Sequence, residues 1–99
     1  MLGKLAGVES RFKEIDRQMM DPEIASDHTK ITELAKERSD IEQIVQAYRR
    51  YQKQVEELTG ARELAHEAGD PEMKEMAQLE VEELESSTEA LLEELKLML

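Results

Sequence analysis

AGDPEMKEM (68–76) decides how this chain folds. Asp-Pro-Glu occurs there at 70–72 and once before, in MMDPEIASD (19–27), at 21–23. A repeated acidic tripeptide has two readings, a ligand site or a boundary between helices. A calcium loop needs several further oxygen ligands at alternate positions and a glycine turn, and neither stretch supplies them. As a boundary every residue has work. Asp70 is suited to cap a helix, Pro71 to fill its first position and Glu72 to face the positive helix end. Gly69 suits the end of the preceding helix. At 21–23 the same residues begin a short turn before the next helix. The repeat is read as punctuation.

Working outward, three apolar patterns lie between these joints. Leu2, Leu5, Val8, Phe12, Ile15 and Met19 step by three or four residues and share one helical face. After the N-cap candidates Ser26 and Asp27, the stripe Ile31, Leu34, Ile41, Ile44, Val45, Tyr48, Val55 and Leu58 thins to Ala61 and Ala65. No proline interrupts 28–70, and Gly60 predicts a bend there rather than a stop. Ala77, Val81, Leu84, Thr88, Leu91, Leu95 and Met98 alternate steps of four and three, the seam of a left-handed coiled coil. Ser86-Ser87-Thr88 interrupts it with poor helix formers, and local fraying is expected there.

The expected fold is therefore all-α: a three-helix bundle built on a long antiparallel coiled-coil-like hairpin. The helices are placed at about 2–20, 27–68 and 71–98 of a single domain spanning 1–99. Composition agrees. Of 99 residues 37% are charged and 3% aromatic, with no Asn, four Gly and two Pro, too few turn formers for a β-sandwich or barrel.

Charge and chemistry narrow the function. The net charge is −11, and residues 66–99 carry eleven acidic against two basic groups. Nucleic-acid affinity rests on Lys and Arg displacing counterions from phosphates, so direct nucleic-acid binding is not expected and a partner should be a protein. Absence of Cys removes thiolate catalysis and Cys-based zinc sites. No stretch reaches bilayer-spanning length and no signal-peptide core is found, so no membrane association and a cytoplasmic location are expected. His28 and His66 lie 38 residues apart without metal-spaced partners. The glycines never cluster into a phosphate loop, and no serine stands in a nucleophile elbow. The Glu82-Glu83 and Glu93-Glu94 pairs need a concave site to act as acid and base, which a narrow bundle does not offer. No catalytic residue, cofactor or metal is assigned, and the chain is not expected to be an enzyme.

One stretch stands apart. AYRRYQK (47–53) places Tyr48 and Tyr51 three residues apart, with Arg49 and Arg50 between them. Either both rings close the bundle seam while the arginines pair with the acidic third helix, or the four residues form an exposed partner-contact patch. The end LLEELKLML (91–99) finishes on apolar residues without a polar cap. A piece of a longer chain is expected, whose exposed end invites self-association.

MLGKLAGVESRFKEI (1–15), DPEIASD (21–27), AYRRYQK, DPEMKEMAQLEVEELE (70–85) and EELKLML (93–99) together resemble the N-terminal domain of the bacterial peptide chain release factor 1 family, over essentially the whole chain and in order. The resemblance implies an accessory helical domain of a translation termination factor that reads stop codons on the ribosome. Its implied partners are the stalk-base protein near the large subunit's GTPase-associated centre and the recycling GTPase, release factor 3. It also implies that the chemistry lies elsewhere, in a Gly-Gly-Gln motif and a codon-reading tripeptide. No Gly-Gly-Gln occurs in these 99 residues, so no catalytic or codon-reading residue carries over. A generic coiled-coil tether or oligomerisation module is the alternative.

Overall fold

The computed structural model describes all residues, Met1–Leu99. The fold is all-α, with four helices and no strand: α1 (Leu2–Met19), α2 (Pro22–Ala25), α3 (His28–Glu67) and α4 (Pro71–Met98). The chain forms two compact units, Met1–Tyr48 and Arg49–Leu99, whose boundary falls inside α3.

Both Asp-Pro-Glu stretches act as helix starts. The Asp21 side chain accepts from the Glu23 amide at 3.0 Å, and Asp70 accepts from the Glu72 amide at 3.0 Å. Each is followed by Pro at the first helical position, where its missing N–H costs nothing. At the first joint the turn after Asp21 closes into the single helical turn α2. Ser26 ends it, its hydroxyl donating to the Glu23 carbonyl, and Asp27 caps α3 through the Lys30 amide at 3.2 Å. No glycine has a positive φ, so Gly69 does not form the left-handed helix cap its position suggests.

In the first unit, Leu5, Phe12 and Ile15 of α1 are buried, as are Val45, Ala47 and Tyr48 of α3. Leu2, expected on the buried face, is exposed, because it lies in the first turn at the end of its stripe. Two ion pairs tie α1 to α3. Arg11 donates through Nε to Glu37 at 3.0 and 3.1 Å, and Arg38 donates through Nε to Asp16 at 2.7 Å. The Arg38 guanidinium also lies 4.5 Å from the Phe12 ring centroid, a cation–π contact over a buried ring.

In the second unit, the last part of α3 and α4 form an antiparallel hairpin, bridged by Gln54 to Thr88 and by Arg62 to Glu85 at 3.1 Å. The buried and half-buried positions of α3 here are Tyr51, Gln54, Leu58, Ala61 and Ala65, a regular three-four seam that Ala68 continues just past the helix end. Val55, read as part of the stripe, is instead 38% exposed. Gln54 takes the seam position because it finds polar partners across it. Its Oε1 accepts from Ser87 Oγ at 3.1 Å and Thr88 Oγ1 at 3.4 Å.

The same contacts overturn the expected fraying at Ser86-Ser87-Thr88. α4 runs unbroken through them, since two of the three hydroxyls, those of Ser87 and Thr88, are held by Gln54 here, and Ser87 Oγ also lies 3.3 Å from the Leu84 carbonyl. α3 likewise continues through Gly60. Met98, placed on the α4 seam by its spacing, is exposed in the final turn.

Candidate functional site

The residues singled out for partner contact are separated by burial. Tyr48 is only 8% exposed, so its ring belongs to the core of the first unit and cannot join a surface patch. Arg49 and Arg50 are exposed and Tyr51 is half-buried. The spacing of the two tyrosines was legible, but which way each faces was not.

Asp21, Asp27 and Asp70 cap helices through their carboxylates. His28 and His66 are exposed. Two ion pairs of the first unit shift the groups that form them. The hydrogen bond that Arg11 donates lowers the Glu37 carboxyl from its ordinary value, and the same bond raises Arg11. The hydrogen bond to Asp16 raises Arg38. These shifts come from ion pairs that fasten α1 to α3, and each stabilises a group in the charge state it already holds at neutral pH.

Concavities lie within each unit. In the first, a cleft of about 290 Å³ brings Ile24 and Leu34 beside the charged Arg11, Lys30, Glu33 and Glu37. Arg11 and Glu37 already satisfy one another there. In the second, a groove of about 220 Å³ is lined by Leu64, Met73, Met76, Ala77 and Glu80. The seam reading passed over this groove, because Leu64, Met73 and Met76 stand off the three-four pattern. Their apolarity at off-seam positions was the available signal.

Charged helices carrying a hairpin seam and open grooves define an all-α, helical-hairpin class of protein. The PCRF domain matches residues 8–99, and the chain belongs to that family. It is similar to "Peptide chain release factor 1" of Geobacillus kaustophilus and of Bacillus subtilis, at 38% identity over 99 residues each, and of Bacillus anthracis at 41%. Each of these alignments covers 100% of this chain and 28% of the relative. The chain thus spans about 28% of the length of these curated relatives, within their N-terminal part. No solved structure matches significantly.

Proposed function

We infer that this chain is an accessory, non-catalytic helical domain of a bacterial peptide chain release factor, acting on the ribosome in translation termination. The observation that carries the reading is the PCRF match over 8–99, joined to whole-chain similarity with proteins named Peptide chain release factor 1. The domain works as one unit of a larger cytoplasmic factor, which supplies peptide release and codon reading from other segments. Its partner is ribosomal protein at the stalk base near the GTPase-associated centre, with release factor 3 as a second candidate. Exposed Arg49 and Arg50, with the edge of Tyr51, are the contact residues. The net charge of −11 supports a protein partner over ribosomal RNA. No helix is long and apolar enough to cross a membrane. A second reading, self-association through the end of α4, is favoured by exposed Leu97, Met98 and Leu99.

A chimera tests the main reading. This chain replaces the matching N-terminal segment of Bacillus subtilis peptide chain release factor 1, and peptide release from stalled ribosomes is measured. The chimera should release peptide, and the 99-residue chain alone should not. A folded chimera no more active than the factor lacking its first domain would overturn the assignment. Release by the 99 residues alone would overturn its non-catalytic part. For the second reading, Leu97→Glu with Leu99→Glu should convert any dimer to monomer in sedimentation.

A further inference from the structure

Leu64, Met73 and Met76 are 50%, 56% and 70% exposed, yet they converge with Ala77 and Glu80 on a single groove beside the α3–α4 joint. These side chains lie outside the buried seam. The seam at this end is made by Ala61, Ala65 and Ala77, which are buried. Large apolar groups left outside a completed seam, on two helices at once, form a surface suited to covering by something else.

Side-chain chemistry and charge specify what covers it. Methionine is unbranched and polarizable, and adapts to differing apolar partners. Two of them side by side favour a helix face of mixed aliphatic side chains over one fixed small molecule. Around them the charge is one-sided: residues 57–83 contain nine carboxylates and two basic side chains. One of those two, Arg62, is paired with Glu85. Glu72, Glu80 and Glu83 stand four before, four after and seven after Met76, and therefore share its face of α4. An apolar groove with an acidic rim complements an apolar stripe flanked by Lys and Arg. It disfavours phosphate backbones, anionic lipid and a second copy of the same acidic face.

We propose that the groove formed by Leu64, Met73, Met76 and Ala77 docks a basic amphipathic helix of a partner protein. The inference stands apart from the termination reading, since it rests only on this groove and its rim and holds whatever larger protein carries the chain. Apolar contact supplies the affinity, and the carboxylate rim supplies orientation and a salt-sensitive association rate.

The test uses the 99-residue chain and three synthetic probes of ~18 residues, long enough for a marginal helix to form on contact. The first carries leucines in one helical stripe with lysines elsewhere. The second has the same composition with the leucines scattered, and the third has Glu in place of Lys. Fluorescence anisotropy should show the first binding at least about tenfold tighter than the second, with no saturable binding of the third. Met73→Gln combined with Met76→Gln should weaken the first by about tenfold or more, while Met20→Gln, at an exposed methionine of the first unit, leaves it unchanged. Leu64→Gln, on the other wall, should show the same loss and serves if the methionine variant alters helicity. Equal affinity for striped and scattered probes, no binding of the striped probe, or binding indifferent to Leu64 and both methionines would each overturn the proposal. So would a dimer in sedimentation that the methionine variant abolishes, because the groove would then belong to a second copy.

Discussion

Gln54 Oε1 accepts from Thr88 Oγ1 at 3.4 Å across a seam whose buried members include Leu58, Ala61 and Leu91. The polar pair sits in one layer of an otherwise apolar hairpin, so sliding either helix by a turn would bury an unpartnered amide. It therefore specifies register more than it adds stability. Gln54→Ala should destabilise by about 1–2 kcal/mol, through lost hydrogen bonds and lost packing. Gln54→Leu combined with Thr88→Val should be neutral or stabilising by up to about 2 kcal/mol. Urea unfolding distinguishes them, and a double variant weaker than Gln54→Ala would refute the register role.

Phe12 is buried beneath the Arg38 guanidinium, which is itself held by Asp16. Phe12→Ala should cost roughly 3–4 kcal/mol from lost transfer energy and the cavity left behind. Phe12→Leu should cost about 1 kcal/mol, since it keeps most of the apolar volume and loses the ring face. Denaturant midpoints followed by a probe in the first unit measure both. A Phe12→Ala variant indistinguishable from the parent would remove Phe12 from the core.

Gly60 is helical, and a Cβ added there would meet nothing within 4 Å. Gly60→Ala should therefore stabilise α3 by about 0.5–1 kcal/mol, by reducing the backbone freedom of the unfolded chain. A thermal melt should shift upward, whereas a downward shift would mean that the helix needs flexibility at this point.

Asp70 and Asp21 make the same capping bond at the same length, but they start helices of 28 and four residues. Asp70→Ala should cost about 1 kcal/mol. Asp21→Ala should cost less, because only one turn depends on it. Comparing the two melts checks this order, and a larger loss at Asp21 would reverse it.

The Arg11–Glu37 pair makes a pH-dependent contribution whose sign follows from the carboxylate. The hydrogen bond from Arg11 holds Glu37 below its ordinary value of 4.5. Protons therefore bind the unfolded chain first. The stabilisation is fully present above that ordinary value and is lost as pH falls through the depressed one. Glu37→Gln should lower the denaturation midpoint slightly at neutral pH, and the gap to the parent should close as acid protonates the parent's carboxyl. A gap constant between about pH 6 and pH 2 would show that the bond does not contribute.

The joints were readable in the sequence because a cap is a local device. Asp21-Pro22 and Asp70-Pro71 carry within three residues the acceptor, the fixed φ and the charge that start a helix. The α4 seam from Ala77 to Leu95 was readable for a related reason, since its steps repeat along one element. Residues whose burial depends on another helix were not. Val55 was the more apolar neighbour of Gln54, yet Gln54 holds the seam because Ser87 and Thr88 stand opposite it. The same hydroxyls kept α4 continuous where propensity alone pointed to fraying. Tyr48 and Tyr51 have one side-chain chemistry and one spacing, but packing buries the first and leaves the second half exposed. The groove of Leu64, Met73 and Met76 exists only because α3 and α4 meet in one register. Local hydrogen bonding and periodicity are encoded along the chain, whereas the choice between adjacent rows of a helix, about 100° apart, is made by what lies across from them.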